Sequence, residues 1–230
     1  RKDFIANVSH ELRTPLTVMR GYLEVLDDME LPQLPIWTKA HRMMSEQTHR
    51  MDGLVNQLLT LTKLENKQSV LTQTQINVPK LLGTIRQEAL TLSNRKHNID
   101  LNVDPSLYLL SSEEQLRSAF SNLVYNAVRY TPEGGNIKIT WQKLNNGNAY
   151  FGCQDDGDGI AHEHIARLTE RFYRVDEART RDSGGSGLGL SIVKHVLSNH
   201  DSELKIASQP QKGSTFSFEI DQRFTKTVSE

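Results

Sequence analysis

Apolar residues in the first 65 positions recur in steps of three and four, the spacing that places them on one face of an α-helix. The first stripe comprises Ile5, Val8, Leu12, Leu16, Met19, Leu23 and Leu26. The second stripe comprises Ile36, Ala40, Met43, Gln47, Met51, Leu54, Leu58 and Leu61. Two prolines between the stripes, Pro32 and Pro35, favour the end of one helix and the start of the next. The pattern predicts a helical hairpin over residues 1–67, with a kink in its first helix just past Pro15.

A single hairpin of this length has only a narrow core, although both of its apolar stripes are long. Pairing with a second copy into a four-helix bundle is the natural way to bury such stripes. The sequence therefore predicts a homodimer.

One histidine lies on the far side of the first stripe. At about 100° per residue, His10 falls roughly opposite the centre of the stripe, with Thr14 within about 40° of it and Glu11 beside it. A nucleophile, a carboxylate and a hydroxyl thus share one predicted exposed patch. The alternative is an ordinary surface histidine on a bundle helix, and these residues alone leave both interpretations open.

The pattern changes after the hairpin. Polar residues from 66 to 74 predict a linker, placed at 68–75, and a second domain follows at 76–230. Its predicted helices cover 78–93, 113–130, 162–168 and 188–199, and its predicted strands cover 99–103, 137–142, 150–154, 204–208 and 215–220. The turn at 145–148 joins two of these strands as a hairpin. We therefore expect an α+β layer sandwich in this domain.

Composition narrows the possible functions. The 230 residues include 27 basic and 28 acidic side chains and carry a net charge of −1, which disfavours nucleic-acid binding. The single Cys153 excludes an internal disulfide and fits a reducing cytoplasm. No segment approaches the roughly 18 consecutive apolar residues of a membrane span.

Two amides in the second domain are spaced to share a helix face. Asn122 and Asn126 stand at i and i+4, and their carbonyl oxygens are suitable ligands for a hydrated Mg²⁺ that bridges phosphates. Arg129 and Tyr130, one turn further on, offer a phosphate contact and an aromatic surface for a base. The alternative is that the amides form hydrogen bonds within a core.

Two glycine-containing segments also offer groups that can bind a nucleotide. Asp155 follows a predicted strand and precedes Gly157 and Gly159, so its carboxylate can accept a hydrogen bond from an amino group; a solvated acidic turn is the alternative. Residues 184–190 open a predicted helix whose free N–H groups can bind phosphate. No strand precedes them, which counts against a dinucleotide-binding unit, and the absence of a Gly-Lys-Ser/Thr sequence excludes a P-loop.

Taken in order, these segments resemble the motifs of two-component sensor histidine kinases over essentially the whole chain. The Ser-His-Glu-Leu-Arg-Thr-Pro run at 9–15 resembles the phospho-acceptor box, 122–126 the N box and 155–159 the G1 box. The segment 171–174 resembles the F box, 185–189 the G2 box and 213–216 the last glycine box. The resemblance implies a dimeric helical bundle followed by an α/β sandwich of the Bergerat type, which gyrase, Hsp90 and mismatch-repair ATPases share.

By position, the resemblance implies that His10 accepts a phosphoryl group from ATP and that Glu11 is the general base. Asn122 and Asn126 would hold Mg²⁺, Tyr130 would pack on the adenine, Asp155 would bind its amino group and Arg174 would reach the γ-phosphate. The full implied nucleotide-binding set is Asn122, Asn126, Arg129, Tyr130, Asp155, Gly157, Gly159, Arg174, Ser186, Gly187, Leu188, Gly189 and Thr215. Residues 176–186 correspond to the mobile lid over ATP.

Three residues depart from the family pattern. Asp156 stands where Asn is common, Asp158 where a neutral residue is usual, and Thr169 replaces the first Phe of the F box. The two carboxylates add negative charge near an anionic nucleotide. We expect activity to survive, and nucleotide affinity to be the property that these residues affect.

The resemblance also implies partners and location. A response-regulator aspartate would take the phosphoryl group from His10, and the Thr14 hydroxyl could orient water to hydrolyse the regulator's aspartyl phosphate. The chain would be the cytoplasmic part of a bacterial inner-membrane protein, anchored only through segments N-terminal to it. Two other functions stay open: an ATPase of the gyrase type, which leaves the histidine hairpin unexplained, and a catalytically silent dimeric scaffold that docks a regulator.

Overall fold

The computed structural model describes residues 2–27, 34–65, 74–175 and 185–227. The chain divides into two compact units, one built on residues 1–62 together with 176–186, and the other on 63–175 and 187–230. Within the described residues, no helix is both long and apolar enough to cross a membrane. Most of the predicted linker, 68–73, and most of the predicted lid, 176–184, lie outside the described residues.

The first unit contains the predicted pair of helices. Helix α1 spans Lys2–Asp27 and continues through Pro15, and helix α2 spans Leu34–Glu65. Ala40 and Leu54 of the second stripe are buried. Leu16 and Leu23 of the first stripe are instead 51% and 50% exposed, because one hairpin cannot cover both sides of its helices.

The second unit contains eight strands in its described part. They are β1 (Thr74–Ile76), β2 (Asn98–Val103), β3 (Leu107–Ser111), β4 (Asn136–Lys143), β5 (Ala149–Asp155), β6 (Lys205–Gln209), β7 (Gly213–Ile220) and β8 (Thr225–Thr227). A five-stranded sheet has the order β2-β4-β5-β7-β6, and a three-stranded sheet has the order β1-β3-β8. Among the strands that the structure describes, β2 and β4 alone pair in parallel. The predicted hairpin at 145–148 is confirmed, because β4 and β5 are antiparallel neighbours.

The helices of this unit are α3 (Val78–Leu92), α4 (Glu113–Tyr130), the single turn α5 (His162–Ile165) and α6 (Gly189–Ser198). A 3-10 turn at Gln222–Phe224 precedes β8. The helix predicted at 162–168 was too long, because the observed helix ends at Ile165 and turns follow it. The smaller sheet was missed, and its first strand includes two residues that the linker prediction had covered, Thr74 and Gln75.

An apolar core lies between the larger sheet and helices α3, α4 and α6. Its centre is aromatic: the Phe120 ring of α4 lies 4.8 Å from that of Phe151 in β5, and the Phe151 ring lies 5.0 Å from that of Phe218 in β7. Trp141 satisfies its buried indole N–H by donating to the Leu107 carbonyl at 3.0 Å. The core therefore fixes α4 against the strands that end at Asp155 and begin at Gly213.

Candidate functional site

The histidine patch lies on α1. His10 and Thr14 are both exposed, as their positions opposite the apolar stripe predict. The Thr14 hydroxyl donates a hydrogen bond to the His10 backbone carbonyl at 3.3 Å. That bond occupies the hydroxyl proton and leaves the oxygen able to accept a hydrogen bond from water.

Glu11 makes a contact that the sequence did not reveal. Its Oε2 lies 3.7 Å from the Arg50 guanidinium of α2, and both side chains are about three-quarters buried, with 25% and 23% of their surface exposed. An ion pair of this kind restricts a carboxylate more than a fully exposed pair would, because water screens it less. No periodicity in the sequence could show it, since it depends on the antiparallel register of the two helices.

The Asn pair lies on α4, beside the start of α6. The Asn122 amide nitrogen donates to the Ser118 carbonyl at 2.8 Å, which directs Oδ1 away from the helix backbone. A Cβ built on Gly189 would lie 2.5 Å from that Oδ1, so only glycine allows this approach. Asn126 is half-buried one turn further on. Both amide side chains thus stand at the edge of the core rather than inside it, and neutral oxygens of this type suit Mg²⁺.

The α4 helix is held in place by α3. Tyr125 lies between the two Asn residues in sequence; its hydroxyl donates to Glu88 at 2.6 Å, and Arg117 forms an ion pair with the same carboxylate. Burial and the neighbouring Glu88 raise the pKa of Tyr125, so the hydroxyl keeps its proton. These bonds fix the rotation of α4 about its axis and therefore the direction of the Asn pair.

Asp155 is a buried carboxylate, with only 6% of its surface exposed. Its Oδ1 accepts hydrogen bonds from the backbone N–H groups of Gly157 at 3.0 Å and Ser214 at 3.2 Å. Burial raises the pKa of this carboxyl above its ordinary value, while the two backbone hydrogen bonds act in the opposite direction. A Cβ on Gly157 would collide with the Tyr130 carbonyl, so the turn brings the end of α4 and the end of β5 together.

The two unusual carboxylates of this loop differ in their surroundings. Asp156 accepts hydrogen bonds from the backbone N–H of Asn136 at 2.8 Å and from its side-chain amide at 2.7 Å. The side-chain bond is the main cause of the lowered pKa of Asp156. This carboxylate therefore anchors the start of β4. Asp158 is exposed, and its backbone carbonyl accepts from the Gln211 N–H at 2.7 Å.

The glycine segment before α6 is joined to the F box. Phe172 has a positive φ of 63° and donates its N–H to the Gly187 carbonyl at 2.9 Å. Gly187 itself has φ of 71°, and a Cβ there would lie 2.7 Å from the Phe172 backbone. A non-glycine residue at positive φ is strained, and such strain is concentrated at functional segments.

The remaining predicted residues also fall within the second unit or at its boundary. Leu188 and Gly189 bring the chain into α6, Gly159 has φ of 66°, and Thr215 pairs with Gln154 across β7 and β5. The exposed residues of the predicted set are Arg129 and Tyr130, whereas Arg174, Ser186 and Thr215 are half-buried. Sequence reasoning missed Arg50, Ser208 and Ser214, whose roles depend on contacts between distant segments.

Two family models match the chain. Residues 1–67 match the His Kinase A (phospho-acceptor) domain, and residues 111–223 match the histidine kinase-, DNA gyrase B- and HSP90-like ATPase. A chain that joins these two domains belongs to the histidine kinase family.

Individual relatives narrow this assignment. The chain is 52% identical to the phosphate regulon sensor protein PhoR of Pseudomonas aeruginosa over 94% of its own length and 49% of that protein. It therefore spans about half the length of the curated PhoR relatives that it matches. The identity to PhoR agrees with three segments that on sequence alone resemble the phosphate-regulon branch of the family, namely 11–18, 125–128 and 168–176.

Solved structures share the fold. The Acinetobacter baumannii histidine kinase AdeS superposes with a TM-score of 0.69 at 23% identity, covering 93% of this chain and 98% of that one. Full-length ShkA, whose structure is a complex with AMPPNP, superposes with a TM-score of 0.68 at 26% identity, covering 99% of this chain and 47% of that one.

Proposed function

We propose that this chain catalyses transfer of the γ-phosphoryl group of ATP to His10, and then to an aspartate of a response regulator. The observation that carries the proposal is the exposed His10 beside Glu11 in a chain whose second domain is of the ATPase type. An exposed imidazole suits this role because two large partners, an ATP-binding domain and a regulator, must reach it in turn.

The nucleotide would bind along the edge formed by the end of α4, the loop after β5 and the start of α6. Asp155 would accept a hydrogen bond from the adenine amino group, and the exposed ring of Tyr130 would pack on the base. Backbone N–H groups at the start of α6 would bind phosphate oxygens. The half-buried side chains Arg174 and Thr215, with Ser186 and Arg129, complete the proposed set. The solved ShkA structure, which shares this fold, is a complex with AMPPNP, and this supports nucleotide binding by a chain of this fold.

Asn122 and Asn126 fit a magnesium ion by the chemistry of their donors, since both offer neutral amide oxygens, and the Asn122 oxygen faces the start of α6 at Gly189. The ion, when bound, would neutralise charge on the phosphates. The protein's own contribution would be to hold these oxygens at fixed positions through the packing of α4.

The transfer step uses the neutral form of His10. An imidazole nitrogen attacks the γ-phosphorus while the bond to the ADP oxygen breaks, and ADP leaves with that electron pair. The proton on the other ring nitrogen goes to Glu11, which Arg50 holds in place. Positively charged side chains and backbone N–H groups stabilise the charge that develops on the phosphoryl oxygens.

Two further activities follow from the same surface. The phosphoryl group would pass to a regulator aspartate, and likeness to PhoR favours a regulator of the PhoB type as the partner. Thr14 would support the reverse function, because its oxygen can accept a hydrogen bond from a water that attacks the aspartyl phosphate. We also propose a homodimer, since Leu16, Leu23, Val55 and Leu59 are left 43–57% exposed on a single hairpin.

Incubation of the chain with γ-labelled ATP and Mg²⁺ tests the proposal. Acid-labile label on the protein is the expected result. Release of free phosphate without labelled protein would support the ATPase alternative, and neither product would support the silent scaffold.

A further inference from the structure

The Ser208 hydroxyl lies where the loop after β5 meets the turn between β6 and β7. Its oxygen is 2.8 Å from the Ile160 N–H, 3.0 Å from the Gly213 carbonyl and 2.9 Å from the Ser214 hydroxyl. Ile160 ends the loop that begins at Asp155, while Gly213 and Ser214 begin β7. One side chain thus joins two segments that are far apart in sequence.

The hydrogen bonds of this hydroxyl can all be assigned. Ile160 can only donate and the Gly213 carbonyl can only accept, so Ser208 accepts from the former and donates to the latter. The Ser214 hydroxyl must then donate its own proton to Ser208. A hydroxyl offers one donor and two acceptor sites, and here all three are used within the protein. Ser208 is therefore committed to these neighbours and does not itself bind a ligand.

Backbone contacts beside Ser208 show that the two segments fit closely. A Cβ on Gly159 would collide with the Gln209 carbonyl, and a Cβ on Gly213 would collide with the Asp155 carbonyl. Gln211 donates its N–H to the Asp158 carbonyl at 2.7 Å. The turn between β6 and β7 thus forms one side of the loop that carries Asp155.

Both backbone donors to the Asp155 carboxylate belong to the segments that Ser208 joins. The Gly157 N–H lies in the loop that Ile160 ends, and the Ser214 N–H lies next to the Gly213 carbonyl that Ser208 binds. A shift of either segment would move a donor away from the Asp155 Oδ1 and release the carboxylate from its fixed direction.

We infer that Ser208 is a positioning residue for adenine recognition, acting through the Ser214 and Gly157 N–H groups that orient Asp155. This inference rests on the proposed function, in which Asp155 accepts a hydrogen bond from the adenine amino group. It predicts that loss of the Ser208 hydroxyl weakens binding of the amino group specifically, rather than binding of the phosphates.

The test compares dissociation constants of ADP and inosine diphosphate, measured with the full chain. Inosine diphosphate has a carbonyl oxygen in place of the amino group and an N–H in place of the acceptor N1, so the ratio of the two constants reports on recognition of this edge of the base rather than on the phosphates. Ser208→Ala should reduce the preference for ADP by about threefold to tenfold, the value of one hydrogen bond. Ser208→Thr, which keeps the hydroxyl, should retain the preference.

Ser217→Ala is the matched control, because this half-buried β7 serine has no side-chain hydrogen bond among those the structure describes; it should leave the ratio unchanged. Asp155→Ala separates the proposed adenine contact from the inferred role of Ser208. If Asp155→Ala leaves the ratio unchanged, the proposed adenine contact is wrong. If Asp155→Ala abolishes the preference while Ser208→Ala keeps it, the inference about Ser208 is overturned.

A second variant allows the same test if Ser208→Ala does not fold. Should Ser208→Ala fail to fold, Ser214→Ala removes the neighbouring hydroxyl but keeps the N–H that binds Asp155. A reduced preference for ADP in Ser214→Ala supports the inference, and a preference equal to that of the parent contradicts it.

Discussion

Arg50 of helix α2 lies 3.7 Å from Glu11 of helix α1, and Glu11 directly follows the proposed phosphoryl acceptor. The pair is partly shielded from water, so it restricts the carboxylate that must take the imidazole proton. We expect Arg50→Met to slow autophosphorylation by about tenfold, below the roughly 100-fold or greater loss typical when a general base is removed. The initial rate of acid-labile labelling measures this effect.

Arg42→Met is the matched control for that variant. Arg42 lies on the same helix and pairs with Glu46 at 3.9 Å, but both members of this pair are exposed. Exposed pairs of this kind contribute little, so labelling should stay at the parent rate. Equal rates for the Arg50 and Arg42 variants would remove Arg50 from the mechanism.

A second prediction concerns Asn126→Asp, which places a charge at one of the two proposed magnesium ligands. Charge balance and ligand geometry at the phosphates both change, so the rate of autophosphorylation should fall by about 100-fold. Asn102→Asp, an exposed substitution on β2, controls for the added charge. A parental initial rate for Asn126→Asp at saturating Mg-ATP would mean that the Asn pair is structural.

A third prediction concerns stability and pH. The buried His200 has its Nδ1 2.8 Å from the Val196 carbonyl, so that nitrogen carries a hydrogen, and its Nε2 lies 2.7 Å from the Ser111 hydroxyl. Burial lowers the pKa of the ring below the ordinary 6.5, which favours the neutral form, in which Nε2 accepts from Ser111. Below pH 6.5 the unfolded chain binds a proton that the folded chain does not, so the free energy of unfolding should decrease as the pH falls.

Chemical denaturation between pH 7.5 and 5 measures this dependence. His200→Gln removes the titrating group, so its free energy of unfolding should fall less steeply with decreasing pH than that of the parent. His162→Gln, at an exposed position, should retain the parent slope. Identical slopes for the parent and His200→Gln would show that His200 does not couple folding to protonation.

Elements with a long repeat were predictable from sequence. The spacing of apolar residues predicted α4 at 113–130, which is its observed span, and α3 to within one residue. The strands β1 and β8 have only three residues each and show no useful alternation, and β3 is a short run of apolar residues, so the smaller sheet was missed.

Some residues of the candidate site were likewise predictable from the sequence, and others were not. Motif residues such as His10, Asn122 and Asp155 can be recognised in the sequence, because their chemistry is unusual for their positions. Arg50 and Ser208 cannot, because an arginine on a helix and a serine on a strand are ordinary residues. Their importance comes from partners 39 and 48 positions away in sequence, which only the register of helices and the meeting of two turns can reveal.

A fourth prediction is that Thr14→Ala separates two activities. The substitution removes a hydroxyl from an exposed helical position without disturbing the apolar stripe, and alanine is well tolerated there. Labelling of His10 should persist, while dephosphorylation of a purified phosphorylated regulator of the PhoB type, measured with nucleotide present, should slow. Thr17→Ala is the control, because this exposed hydroxyl makes the same kind of bond, to the Arg13 carbonyl at 2.9 Å. Parental dephosphorylation by Thr14→Ala would leave the phosphatase proposal without support.

Labelling of His10→Ala is the sharpest test of whether His10 accepts the phosphoryl group. His49→Ala is its matched control, since His49 is also an exposed histidine of the helical unit. We expect His10→Ala to bind ATP with parental affinity but to carry no acid-labile phosphate, whereas His49→Ala should be labelled like the parent. Acid-labile phosphate retained on His10→Ala would contradict this role of His10.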